Sequence, residues 1–186
     1  RLQRDWWRVK GIVKDLKTDG VELYHGLSGE LPSGLAAAGI PGVVTVHDLI
    51  FLRHPEFYPA IDVFFYKRKF YQTLREATRI IAISECTKRD ILYYGDFPED
   101  KIDLVYQSCS TRFSQSVSSS LIEEARRKYQ LPQRYILNVG TVEVRKNILL
   151  GIQTMAKLPS DLHLVIVGKQ TKYQKKLDAE IKRLGI

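Results

Sequence analysis

Residues 79–106 read RIIAISECTKRDILYYGDFPEDKIDLVY, and this stretch decides the fold class. Arg79–Ser84 is short, apolar and isoleucine-rich, which suits a buried strand. Thr87–Tyr94 carries a helical pattern, with Ser84 or Glu85 placed to cap its start. Gly95 and Pro98 break the chain, and Lys101–Tyr106 is a second β-type run. Strand, helix and strand in that order make a βαβ unit, whose crossover implies a parallel sheet.

The same alternation extends upstream. Val21–His25 and Gly42–His47 read as strands, being short, β-branched and bounded by Gly, Asp or Pro. Between Gly42–His47 and Arg79–Ser84, Asp62–Glu76 repeats Val63, Tyr66, Phe70 and Leu74 at helical spacing. Downstream, Gln107–Ser120 is serine-rich and poor in large apolar residues, the texture of a linker or hinge. The pattern then restarts as helix Leu121–Tyr129, a Leu131-Pro132 break, strand Tyr135–Val139 and helix Asn147–Leu158. Strand Leu162–Gly168 and helix Tyr173–Leu184 close it. The expected organisation is one α/β domain over 1–106, a hinge over 107–120 and a second α/β domain over 121–186. The second is too short for a full doubly wound domain.

Composition narrows the class. The chain has 186 residues, 44% hydrophobic and 27% charged, enough for a folded core and a hydrated surface. No apolar run approaches the roughly 20 residues a spanning helix needs. Two cysteines, Cys86 and Cys109, are too far apart for a CxxC site and point to a reducing compartment. No apolar targeting segment follows the basic start. The formal net charge of +8 admits nucleic acid, anionic lipid or phosphorylated ligands.

Three stretches carry candidate chemistry. In Tyr135–Leu158 a strand ends at Gly140-Thr141, and a short loop brings Arg145-Lys146 to the start of a helix. Free N–H groups and the positive end of a helix dipole favour an anion there. Arginine adds forked hydrogen bonding to phosphate, and lysine a point charge. A basic pair near a helix start is disfavoured by the dipole, which argues against a purely structural choice. Neither a P-loop nor GxGxxG is present. In VVTVHDL, a strand delivers His47 and Asp48 to its carboxyl end. His47 suits a sugar hydroxyl, acid–base work or a loop contact, and Asp48 a site or a cap. In FFYKRKFY, aromatics interleave with Lys67, Arg68 and Lys69. That mix fits a membrane surface, single-stranded nucleic acid, or a helix that buries its rings and hydrates its charges. No HxxxH, HExxH or Cys/His cluster and no DxD pair occurs.

Taken in order, IPGVVTVHDLIFLRHPEFY, RIIAISECTKRDIL, KIDLVYQSCSTRF, YILNVGTVEVRKNILLGIQTMAKL and LHLVIVGK resemble the retaining glycosyltransferases of family 4, group 1. The likeness runs over residues 21–186, and VGTVEVRKN is its most specific piece. The resemblance implies a GT-B fold: α/β, with two Rossmann-like domains facing each other, both incomplete in this chain. It implies transfer of a sugar from a UDP-, GDP- or ADP-type donor to a saccharide or lipid-linked acceptor, with retention and without metal or cofactor. The setting implied is cell-surface polysaccharide synthesis, cytoplasmic and peripheral to the inner membrane face; nucleic acid is not an implied partner. Residue by residue, the donor diphosphate falls on Gly140, Thr141, Arg145 and Lys146, with Gly168 beside the nucleotide. His47 becomes the catalytic histidine, Ser84 and Asp48 face the acceptor, and Lys67, Arg68 and Lys69 meet membrane or acceptor.

Departures from the family pattern are specific. Val144 stands where the family has proline, and Gln107-Ser108 where the hinge carries Asn-Gly. The family's glycine-rich first loop and its late acidic motif have no counterpart here. The expectation is a piece of a longer enzyme that holds phosphate but does not complete transfer alone. The rival readings are a nucleic-acid-binding module and a nucleotide-binding α/β module without catalysis.

Overall fold

The computed structural model describes residues 7–186. The basic start, residues 1–6, lies outside the described residues. The chain divides into two compact units, the first running to Cys109 and the second spanning Ser110–Ile186. The division falls within the serine-rich 107–120 segment.

In the first unit, helix α1 (Ile12–Thr18) leads to strand β1 (Tyr24–Gly26), then β2 (Gly42–Val46) and the short helix α2 (Ile50–Arg53). Helix α3 (Ala60–Glu76), strand β3 (Arg79–Ala82), helix α4 (Glu85–Tyr94) and strand β4 (Ile102–Leu104) follow. The sheet has order β1-β2-β3-β4 with every pair parallel. Strand β1 starts later than the pattern Val21–His25 suggests, because the Val21 N–H turns back to the Leu16 carbonyl at 2.9 Å and closes α1.

Val44 and Ile80 pair across β2 and β3 and are fully buried, as are Leu35, Ala82 and Ile91. Each large side chain of that kind contributes ~1.5–3 kcal/mol by leaving water. Residues 31–40 are fastened under the sheet by Glu76, the last residue of α3. Its carboxylate accepts the N–H groups of Gly34 at 2.8 Å and Ala36 at 3.0 Å.

The second unit holds helix α5 (Ser119–Tyr129), strand β5 (Arg134–Val139), helix α6 (Ile148–Met155), strand β6 (Leu162–Val167) and helix α7 (Gln174–Leu184). Helix α5 ends with Gln130 in the left-handed region and a bond from the Leu131 N–H to the Arg126 carbonyl at 3.0 Å. This is a Schellman-type stop before Pro132. Strands β5 and β6 pair in parallel from Arg134↔Leu162 to Val139↔Val167. Val142, Ile148, Ile152 and Leu177 form the core, with Leu164 and Ile166 packed on it. Ile136, Leu137 and Val139 of β5 stay exposed.

Helix α6 is shorter than the expected Asn147–Leu158. Asn147 adopts φ 49°, so the helix begins only at Ile148. A 3-10 turn, Val144–Lys146, fills the space before it.

Candidate functional site

Parallel strands place every carboxyl end on the same edge of each sheet, and the candidate residues outside the α3 run Lys67–Lys69 follow those ends. In the first unit this edge holds a cavity of about 320 Å³, lined by Ser28–Glu30, Val46–Leu49, Phe51, Tyr58, Tyr66, Lys69 and Phe70. His47 follows β2 directly. Its Nε2 lies 2.9 Å from the Leu27 carbonyl. A carbonyl only accepts, so Nε2 carries a proton, and in the neutral ring Nδ1 then keeps a lone pair that can accept from a ligand hydroxyl. Asp48 also lines the cavity, and its Oδ1 accepts the Ile50 N–H at 3.2 Å, turning the chain into α2.

Ser84 has an internal role. Its hydroxyl oxygen accepts the Thr87 N–H at 3.1 Å and caps α4, a cap of the kind whose loss costs ~1 kcal/mol. Thr87 is buried, and its hydroxyl donates to the His47 carbonyl at 3.0 Å. Since that proton is committed, the Ser84 hydroxyl donates to Thr87 Oγ1 across 3.0 Å. Further along α4, buried Asp90 accepts from Arg53 at 2.7 Å, which holds the guanidinium pKa above its ordinary value. Helix α4 thus grips the 47–53 segment at both ends.

The basic run on α3 divides. Lys69 turns to the cavity and donates to Glu30 at 2.7 Å, with both side chains about half exposed. Lys67 and Arg68 stay exposed and have no carboxylate partner among the described residues. The apolar side chains divide as well. Phe70 is buried, Tyr66 stacks edge-on with Phe51 and Tyr58, and Ile61, Phe64 and Phe65 are exposed.

In the second unit the edge carries the glycine turn and the basic pair. Gly140 has φ 153°, and a β-carbon there would sit 3.8 Å from Lys146 Cε. The lysine stem therefore lies over the open face of the glycine. Its ammonium has no carboxylate partner among the described residues. Thr141 follows, and the Val142 N–H bonds the Lys169 carbonyl at 2.9 Å, joining the two loops.

Arg145 is less free than its sequence position suggests. Its Nε stands 2.8 Å from Glu143 Oε1, close enough for an ion pair, yet that buried oxygen has no hydrogen-bond partner. The terminal nitrogens of the fork remain open. Gly168, after β6, meets Gly140 so closely that a β-carbon would lie 1.8 Å from the Gly140 oxygen. Its glycine is a packing requirement of the turn, whatever it does for a nucleotide.

Sequence reasoning missed Glu30, Tyr58, Tyr66, Thr87 and Glu143. Only Glu143 had a signal, two residues before the arginine it meets. No group of three His, Cys, Asp or Glu residues suited to a metal gathers among the described residues.

Two Rossmann-like units, one with a cavity at His47 and one with Arg145 and Lys146 at a glycine turn, are the setting in which these side chains stand. The chain belongs to Glycosyltransferase Family 4, which it matches over residues 1–112. It is 29% identical over 143 residues to the O-antigen chain mannosyltransferase B of Escherichia coli, covering 76% of this chain and 36% of that protein. It is equally identical over 147 residues to the serotype-specific mannosyltransferase WbdA of Escherichia coli, covering 76% of this chain and 18% of the relative. The chain thus spans well under half the length of these relatives.

Among solved structures it is similar to Anabaena Alr3699/HepE in complex with UDP and glucose, with a TM-score of 0.69 and 18% identity. That likeness covers 94% of this chain and 48% of the other. A glycosyltransferase from Rickettsia africae ESF-5 gives a TM-score of 0.61 at 17% identity, covering 94% and 46%. These likenesses show a GT-B fold class built on parallel α/β units.

Proposed function

We propose that the protein of which this chain is part transfers a hexose from a nucleoside-diphosphate sugar to a saccharide or lipid-linked acceptor, in the synthesis of a surface polysaccharide. The relatives' activity suggests mannose. The observation that carries the donor half is the pair of cations at the glycine turn, Lys146 over Gly140 and Arg145 beside Glu143. Departure of the nucleoside diphosphate builds charge on its terminal phosphate, and preorganised cations at that point lower the barrier. The leaving charge is assigned to these side chains, since the family resemblance implies transfer without a metal. Retention is taken from the family resemblance.

In this reading Gly140, Thr141, Arg145 and Lys146 hold the diphosphate and Gly168 borders the nucleotide. His47 meets the reacting sugar through Nδ1. Asp48 and Lys69 face the acceptor from the same cavity. Exposed Ile61, Phe64 and Phe65, with unpaired Lys67 and Arg68, form the face that meets an anionic membrane from the cytoplasmic side. No helix among the described residues is long and apolar enough to cross it.

The chain itself is proposed to bind donor without completing transfer. Calorimetry with UDP and GDP against an Arg145→Ala/Lys146→Ala variant tests the donor half. Binding is expected to fall below detection in the variant; equal binding by variant and parent chain overturns the assignment.

A further inference from the structure

We infer that the cavity of the first unit selects an uncharged, hydroxyl-rich sugar and rejects phosphorylated or uronate ones, with Glu30 and Lys69 as the specificity-determining pair. The inference rests on the reading above that this cavity takes the acceptor. It starts from a local reversal of charge. The chain carries a formal +8, yet the fully charged groups lining the cavity are the carboxylates of Glu30 and Asp48 and the single ammonium of Lys69.

That ammonium is already matched. Lys69 donates to Glu30 at 2.7 Å, so an entering anion meets a neutralised pair and the further carboxylate of Asp48. The other unit offers the opposite: Arg145 shares one carboxylate, Glu143, and Lys146 adds an ammonium with no carboxylate partner among the described residues. Phosphate chemistry and hydroxyl chemistry are thereby sorted onto different sheet edges.

What the cavity does offer fits a neutral sugar. An ion pair presents a carboxylate that accepts hydroxyl protons and, beside it, an ammonium that donates to hydroxyl oxygens, the complement of a vicinal diol. In its neutral ring His47 adds an accepting Nδ1, because Nε2 donates to the Leu27 carbonyl. Tyr66, edge-on to Tyr58 at 6.1 Å and to Phe51 at 5.5 Å, gives the C–H face of a ring an aromatic wall. The volume, about 320 Å³, sits at the small end of ligand pockets.

The test is a set of NMR titrations of the isotope-labelled chain, following the amides of His47 and Tyr66. The probes are methyl α-mannoside as the neutral sugar, and mannose 6-phosphate and methyl glucuronide as anionic ones. The neutral probe is expected to bind about tenfold or more tighter, the worth of one charge-assisted hydrogen bond. Anionic probes that bind as tightly at these amides overturn the charge selection and leave the acceptor reading standing. Silence of the amides toward all three probes overturns the acceptor reading itself.

Glu30→Gln keeps the shape but frees the lysine, and it is expected to weaken the neutral probe and strengthen the phosphate one by about tenfold. Lys69→Gln on that background is expected to remove the gained phosphate binding. An unchanged preference in folded Glu30→Gln, checked by its amide spectrum, also overturns the assignment.

Discussion

Replacing Gly168 with alanine probes the edge proposed for the donor at its tightest point. The added β-carbon would lie 1.8 Å from the Gly140 carbonyl oxygen and 2.5 Å from its carbon. Carbon and oxygen ordinarily approach no closer than about 3.3 Å, so the ends of β5 and β6 must part by roughly 1.5 Å. Overpacking costs ~1–3 kcal/mol where side chains can adjust. Here the obstacle is backbone, so the upper end, ~3 kcal/mol, is the expected loss. That is a large share of what a unit of this size holds in reserve, at roughly 0.05–0.15 kcal/mol per residue.

The chain supplies an internal control, because its only tryptophans are residues 6 and 7 in the first unit. In urea, tryptophan fluorescence of Gly168→Ala should follow the parent chain while far-ultraviolet circular dichroism shows an earlier transition from the second unit. UDP and GDP binding should be lost with it, since the displaced turn carries Lys146. A dichroism transition within about 0.5 kcal/mol of the parent's, with nucleotide binding intact, refutes the packing argument.

Two further outcomes follow from the structure. The Glu180 carboxyl is drawn down to about 2, first by the hydrogen bond from Arg183 and then by that from Gln153. A depressed carboxyl stabilises the fold above its ordinary value of 4.5 and loses that contribution as pH falls toward about 2. Glu180→Gln should therefore melt below the parent near neutral pH, with the gap closing on acidification; a gap constant with pH counts against the linkage. On the first unit, Phe64→Ser/Phe65→Ser should abolish sedimentation with phosphatidylethanolamine–phosphatidylglycerol vesicles, and added salt should weaken the parent's binding. Undiminished binding of the variant rules out this face as the membrane contact.

Much of the fold was legible because buried parallel strands are short β-branched runs, and GVVTV and RIIA state that locally. Boundaries were less so: Val21 looks like strand but closes the preceding helix, and Asn147 looks like helix but takes a left-handed turn. Loop positions of His47, Gly140 and Lys146 could be read from where strands stop. Their partners could not. Glu30 comes from an aperiodic loop, yet it meets Lys69 across 39 positions of sequence. Ser84 shows a second limit, since a serine after a strand suits a ligand and a cap equally, and only the Thr87 N–H decides. Exposure of Phe64 and Phe65 was equally hidden, because FFYKRKFY places rings on every side of its helix.

The Thr87 hydroxyl has a consequence for anyone who would transplant this site. If the proposed acceptor role holds, the 47–53 segment invites redesign by exchange with that of another family member, as if it were a cassette. Yet the carbonyl of its first residue is fastened to a hydroxyl forty positions away, and its last residue, Arg53, to Asp90. A graft that leaves helix α4 behind would arrive without its moorings. The portable module is the segment together with Ser84, Thr87 and Asp90.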